Sequence, residues 1–147
     1  MKEIVYIDLD RVVVDYDSAL KKIDKKVLDK YEKSSHVPGI YSLMDPEDGA
    51  IEAVNKIRKK YEVYFLSFAP WENPSAWSDK VIWVQKNFGD WVKKRLILSN
   101  RKDLNIGDYL IDDREKNGAK DFQGEFIHFK TEKFPDWNSV LSYLDLE

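Results

Sequence analysis

Apolar positions along this chain fall in short blocks separated by longer stretches with helical spacing. The clearest blocks are Ile4-Val5-Tyr6-Ile7, Val63-Tyr64-Phe65-Leu66, Leu96-Ile97-Leu98 and Tyr109-Leu110-Ile111. None alternates strictly between apolar and polar. Each therefore predicts a strand buried on both faces, as in a parallel sheet covered by helices. A weaker fifth block, Phe126-Ile127-His128-Phe129, extends the series. Between the blocks, Asp48 predicts the cap of a helix from about Gly49 to Lys60, with Ile51, Val54 and Ile57 on one face. A second helix is predicted from about Pro74 to Phe88, with Trp77, Val81, Val84 and Phe88 facing inward and Gly89 stopping it. Asp136 predicts the cap of a last helix carrying Val140, Leu141 and Leu144. Strand and helix alternate, which predicts an α/β fold with right-handed crossovers.

The segment from about Asp17 to Asp45 breaks the rhythm. It predicts a charged helix, Ser18 to Glu32, then a loop with Pro38 and Gly39. Its place after the first strand predicts a small cap inserted over the strand ends; the plainer alternative is a long crossover helix and loop. The chain has 147 residues and no repeat or low-complexity linker. That length fits a single domain over 1–147, with the insertion at about 17–45.

Composition narrows the function. Net charge is −3 with both signs mixed along the chain, which argues against a nucleic-acid polymer as partner and leaves a small anionic ligand open. There is no cysteine, so disulfides, thiolate metal sites and a cysteine nucleophile are excluded. The apolar run at the N-terminus is too short for a secretory signal, and no stretch approaches the roughly 20 apolar residues of a membrane span. A cytoplasmic location without membrane contact is expected. Aromatic residues make up 14% of the chain and include five Trp, enough for packing and for stacking on a planar ligand. The oligomeric state stays open, a homodimer included.

Each of the four clear strands ends on a residue suited to phosphoryl chemistry. Ile7 is followed by Asp8-Leu9-Asp10, Leu66 by Ser67, Leu98 by Ser99-Asn100-Arg101-Lys102, and Ile111 by Asp112-Asp113. Taken singly, each reads as a loop acid, a turn hydroxyl or a solvated charge. Taken together, they converge, because ligand sites in open parallel sheets lie beyond the carboxyl ends of the strands. Four carboxylates in one crevice repel and raise one another's pKa, and a bound cation relieves the repulsion. All the candidate ligands are oxygens, so the expected ion is hard, Mg²⁺ ahead of Ca²⁺ and not Zn²⁺. Ser67 and Lys102 supply donors to phosphate, and an Asp can act as nucleophile.

In that order, Asp8-x-Asp10, Ser67, Lys102 and Asp112-Asp113 resemble the four motifs of the haloacid dehalogenase (HAD) superfamily. The resemblance covers nearly the whole chain and is closest to the 5′(3′)-deoxyribonucleotidases. It extends through Ile7-Asp8-Leu9-Asp10-Arg11-Val12, Gly49-Ala50-Ile51-Glu52-Ala53-Val54, Leu66-Ser67-Phe68-Ala69-Pro70-Trp71, Trp77-Ser78-Asp79-Lys80 and Leu110-Ile111-Asp112-Asp113-Arg114. It implies a HAD-like Rossmannoid three-layer sandwich and a Mg²⁺-dependent phosphomonoesterase acting on a small nucleotide, a (deoxy)ribonucleoside monophosphate. By this resemblance Asp8 attacks phosphorus and Asp10 serves as acid and base, its backbone carbonyl on Mg²⁺. Ser67 bonds the phosphoryl group, Lys102 steadies Asp8, and Asp112 and Asp113 complete the metal site. Tyr16 takes the place of an aromatic that stacks on the base. Lys80 matches a lysine reaching the phosphate, although helix periodicity alone makes it a solvated charge.

Two residues depart from the family pattern. Arg11 stands where the family carries Gly, whose freedom of dihedral allows close backbone approach. Its side chain either turns away or adds a cation near the phosphate. Phe68 stands where animal relatives carry a hydroxyl, leaving only its backbone N–H for phosphate. Other readings are a HAD phosphatase of another small ester, a catalytically impaired phosphate-binding homologue, and a receiver domain. A receiver's acid pair comes first and its phosphorylated Asp stands alone later, the reverse of the order here.

Overall fold

The structure is a computed structural model that describes every residue from Met1 to Glu147. Its strands are β1 (Ile4–Ile7), β2 (Val14–Asp15), β3 (Asp45–Pro46), β4 (Glu62–Ser67), β5 (Leu96–Leu98), β6 (Tyr109–Asp112) and β7 (Glu125–His128). Five of them form one parallel sheet in the order β5-β4-β1-β6-β7, while β2 and β3 pair antiparallel apart from it. The weaker fifth block thus becomes the edge strand β7. In register, Ile7 lies opposite Phe65 on one side and Ile111 on the other. Chain order reverses at β1, so the crevice opens beyond its carboxyl end.

The absence of alternation in the strands has its reason in two buried faces. Val5, Ile7, Val63, Phe65, Ile111 and Ile127 join a large core with residues of the helices. Tyr6, Leu66 and Leu110 point the other way and meet Ala119 and Phe122. The α-helices pack in the large core, whereas the smaller cluster is closed by a single 3₁₀ turn at Ala119–Asp121. No helix is long and apolar enough to cross a membrane.

The helices are α1 (Tyr16–Leu20), α2 (Lys25–Leu28), α3 (Ala50–Lys60), α4 (Pro74–Phe88) and α5 (Trp137–Tyr143). For α5 the expected cap forms: Asp136 accepts from Ser139 N at 2.9 Å, and Ser139 Oγ accepts from Asp136 N at 3.3 Å. For α3 it does not. Gly49, with φ +74°, precedes the helix and no side chain caps it, so Asp48 stays exposed. Ala50 and Ala53 join Val54 and Ile57 in the core, and Ile51 is only half-buried.

α4 has the expected limits, with Gly89 ending it, and Val84 and Phe88 of the expected inward face are buried, but Trp77 and Val81 are not. Ala76, Lys80, Trp83, Val84 and Phe88 are buried, whereas Trp77 and Val81 are 38% and 41% exposed. The helix is rotated by what its polar atoms find. Trp83 Nε1 donates to Met44 O at 2.8 Å, and Lys80 reaches polar partners under the sheet end.

The predicted charged helix from Ser18 to Glu32 is broken into α1 and α2. Asp24 accepts from Lys26 N at 2.9 Å and so starts a new helix where the pattern would continue the old one. The insertion then runs through 3₁₀ turns at Ser34–His36 and Ile40–Leu43. β2 and β3 close its base, and Asn73 Nδ2 ties it to the start of α4 by donating to Ser35 O and Val37 O, both at 3.0 Å.

Candidate active site

Asp8 follows β1 directly, and its N–H donates to Ile111 O at 2.9 Å, so the backbone beneath its carboxylate is stitched to β6. After it the chain turns sharply: the amides of Val12, Val13 and Val14 all donate to Leu9 O. This turn puts Arg11 at φ +66°, the left-handed region where Gly is at ease. A side chain there costs about 1–2 kcal/mol. Arg11 turns its guanidinium away from the strand ends, to Asp17 at 3.0 Å and over the Tyr16 ring at 5.1 Å.

The sheet brings the strand-end residues together. Lys102 Nζ lies 3.0 Å from Asp8 Oδ1 and 2.6 Å from Asp112 Oδ2, and all three residues are buried. Burial alone would lower the Lys102 pKa, but Asp8 and Asp112 outweigh it and the net shift is upward. The Asp8 carboxyl is pushed up to about 7, first by burial, with Asp112 and Asp10 adding to the rise and Lys102 opposing it. Asp112 and Asp113 are also raised, again chiefly by burial. Carboxylate oxygens of Asp8, Asp112 and Asp113 lie within 4.8 Å of one another. This all-oxygen, mutually repelling set, with Asp8 and Asp112 buried and Asp113 half-buried, fits a hard divalent cation.

Asp10 faces a second cation. Lys80 Nζ donates to Asp10 Oδ2 at 3.2 Å, Ser67 Oγ at 2.8 Å and Phe68 O at 2.8 Å, and sits 4.5 Å from the centre of the Tyr41 ring. Lys80 is 2% exposed, so the solvated charge that helix periodicity suggests is instead a fully bonded buried ammonium. Asp10 Oδ1 is buried and has no partner. Ser67 is buried between Lys80 and the start of the next loop.

The loop carrying Lys102 depends on a close approach. Lys102 N–H donates to Asn117 O at 2.7 Å. A Cβ on Gly118, whose φ is +82°, would collide with Asp103 Oδ1 and stand 3.0 Å from Lys102 N. Only glycine lets the two loops lie this near.

Asp8, Asp10, Phe68, Lys102 and Asp112 line a cradle of about 30 Å³ with Arg114, Lys116 and Asn117. The cradle shares Asp10, Phe68, Arg114, Lys116 and Asn117 with an open cavity of about 540 Å³. Its other walls are Arg11, Tyr16, Tyr41 and Lys33-Ser34-Ser35 of the insertion. Tyr16 is buried, hydrogen-bonded through its hydroxyl to Ser34 Oγ at 2.8 Å, and edge-on to Tyr41. Of the candidate site residues, Asp8, Asp10, Arg11, Tyr16, Phe68, Lys102 and Asp112 line the cradle or the cavity, Asp113 joins Asp8 and Asp112 within 4.8 Å, and Ser67 and Lys80 connect to them through the Lys80 bond to Asp10.

Tyr41, Lys116 and Asn117 were not singled out in the sequence. Tyr41 sits in an insertion whose pattern gives no sign of where its side chains point. Asn117-Gly118 did carry a signal: the Asn-Gly pair marks a turn with positive φ, and here the angles are +56° and +82°.

Strand order and the chemistry at the strand ends together define the class, a haloacid dehalogenase-type fold with that superfamily's side chains in sequence order. Comparison with known proteins agrees. Residues 20–134 match the family described as 5′ nucleotidase, deoxy (Pyrimidine), cytosolic type C protein. A Vibrio phage KVP40 protein named "Putative 5′(3′)-deoxyribonucleotidase" is 50% identical over 147 residues, covering 99% of this chain and 86% of its own length. Proteins of the same name from Staphylococcus epidermidis and Acanthamoeba polyphaga mimivirus are 26% and 23% identical. They match over 74% and 96% of this chain and 64% and 73% of their own. The chain belongs to this 5′-nucleotidase family, whose members are hydrolases of phosphoric monoesters.

Proposed function

We propose that the chain hydrolyses (deoxy)ribonucleoside monophosphates in the cytosol through a phosphorylated Asp8. The observation that carries this reading is the pairing of two carboxylates in different states. Asp8 is clamped by Lys102, while Asp10 has one oxygen fixed by Lys80 and the other buried and free. A nucleophile needs the first condition, and an acid–base group needs the second.

The carboxylates of Asp8, Asp112 and Asp113, with the backbone carbonyl of Asp10, would hold Mg²⁺. Bound there, the ion would neutralise charge on the phosphate oxygens and let a dianion approach a carboxylate. An Asp8 oxygen forms a bond to phosphorus as the ester P–O bond breaks. The departing sugar oxygen takes its proton from Asp10 Oδ1. Asp10, now a carboxylate, takes a proton from water, whose oxygen attacks phosphorus and releases inorganic phosphate and free Asp8. Ser67, the Phe68 N–H and Lys102 hold the phosphoryl oxygens, while Lys80 keeps Asp10 aimed. The cavity beyond the cradle offers Tyr16, Tyr41 and Phe68 to a nucleoside. The lack of cysteine suits a reducing compartment.

A panel of phosphate esters with Mg²⁺ tests the reading. Phosphate release from deoxyribonucleoside monophosphates is expected. Release from none of them, under conditions where a related nucleotidase is active, would overturn it.

A further inference from the structure

The cavity carries more positive charge than the neutral part of a nucleoside monophosphate can use. Its walls hold Arg11, Lys33, Arg114 and Lys116 against one acid, Asp10, which already has Lys80 beside it. Arg114 and Lys116 also line the cradle, where the phosphoryl group to be transferred would sit. Arg11 and Lys33 line only the outer cavity, together with the hydroxyls of Ser34 and Ser35. Lys33 has no acid within ion-pair distance, and Arg11 has only the exposed Asp17 at 3.0 Å. A base and a sugar would leave Lys33 without a counter-charge and Arg11 with only an exposed one.

The turn after Asp8 fixes where the Arg11 side chain goes. Arg11 keeps a left-handed backbone, φ +66°, that glycine would adopt freely. Here the strained residue sends its cation along the cavity wall, over the face of Tyr16.

We propose that Arg11 and Lys33, with Ser34 and Ser35, form a subsite for a second phosphate group, so that the preferred substrate is a nucleoside 3′,5′-bisphosphate. This rests on the hydrolytic reading above and names its substrate class. One phosphate enters the cradle and is hydrolysed: its P–O ester bond breaks, the departing sugar oxygen takes a proton, and water supplies the oxygen that completes inorganic phosphate. The other stays on the nucleoside and binds the outer cations. The products are a nucleoside monophosphate and inorganic phosphate.

The test compares thymidine 3′,5′-bisphosphate with the thymidine 5′- and 3′-monophosphates, at low and high salt, with Mg²⁺. The bisphosphate is expected to show kcat/KM about tenfold higher at low salt, carried by KM, with the advantage shrinking as salt screens the rim charges. Arg11→Gly and Lys33→Ala should each reduce the ratio of bisphosphate to monophosphate kcat/KM. Equal kcat/KM for mono- and bisphosphate in the wild type overturns the subsite and leaves the monophosphatase reading standing. A 3′-phosphorylated dinucleotide preferred over the bisphosphate also overturns it, because the second anion recognised is then a phosphodiester. Calorimetry with Asp8→Asn protein separates the two readings. Tighter binding of bisphosphate than monophosphate, with no turnover by wild type, supports the subsite and removes the hydrolytic reading. Equal binding removes the subsite.

Discussion

A carboxylate that is to attack phosphorus has to shed water and be held still, and Asp8 meets both needs with Lys102 Nζ 3.0 Å from Oδ1. Asp8→Asn keeps the shape and removes the charge. Turnover of a nucleoside monophosphate should fall to background while the far-ultraviolet circular dichroism is unchanged; residual turnover near wild type would rule out the covalent route. Asp10 differs in having an unpartnered oxygen, from which the proposed mechanism would move its proton. Asp10→Asn should lower kcat by about 10²–10⁴ and KM little, since general acid–base work is lost and binding is not. Lys80 is neither nucleophile nor acid, but it bonds Asp10, Ser67 and Phe68 at once from a position 2% exposed. Lys80→Met leaves the half-buried Asp10 carboxylate without its cation. It should cost about 3 kcal/mol of stability, the order seen when one partner of a buried pair is removed. Chemical denaturation reads the loss, and an unchanged midpoint would show that the pair contributes nothing.

At the scale of elements, loops rather than helices set the site's precision. The Lys102 loop and the Lys116–Gly118 turn are held edge to edge by Lys102 N–H on Asn117 O, with no room for a Cβ at position 118. Gly118→Ala should therefore move Lys102, destabilise the fold by about 1–3 kcal/mol and lower kcat more than it alters KM. A variant with wild-type melting temperature and kcat would show that the loops yield freely. The strands and their polar ends were legible in the sequence because a buried parallel strand must be apolar throughout and must stop where a polar residue begins. That is why Asp8, Ser67 and Asp112 stand at strand ends in both the pattern and the fold. The phase of α4 was not legible. Trp77 and Val81 are apolar yet 38% and 41% exposed, and Lys80 is charged yet buried. Its partners Asp10 and Ser67 lie 70 and 13 residues away in sequence, beyond the reach of any helical period. The break at Asp24 was equally hidden, since a capping aspartate and a solvated one look alike until the backbone turns.

At the scale of the whole molecule, the crevice couples stability, pH and metal. Asp8 titrates near 7 in the folded, metal-free chain against an ordinary value of 3.8, and Asp112 and Asp113 are shifted the same way. A group whose pKa is raised by folding holds its proton more tightly in the native state. Its contribution to stability is complete below about pH 4 and is lost as pH climbs through about 7. Chelator-treated protein should thus melt at lower temperature as pH rises across that window. Asp8→Asn should flatten the decline and raise the melting temperature above about pH 7 by roughly 3 °C, or about 1 kcal/mol at this size. Mg²⁺ bound as proposed would select the deprotonated carboxylates, so its effect should run the opposite way. At a concentration about 100 times its dissociation constant it should add about 2.7 kcal/mol. At a fixed concentration the gain should be larger at about pH 7.5 than at about pH 5.5, because fewer protons then have to be displaced. Melting curves of wild type and Asp8→Asn, with chelator and with Mg²⁺ at both pH values, check all of this together. If the two metal-free proteins decline in parallel with pH, the titrating charge lies elsewhere. If Mg²⁺ stabilises both equally, Asp8 is not among its ligands.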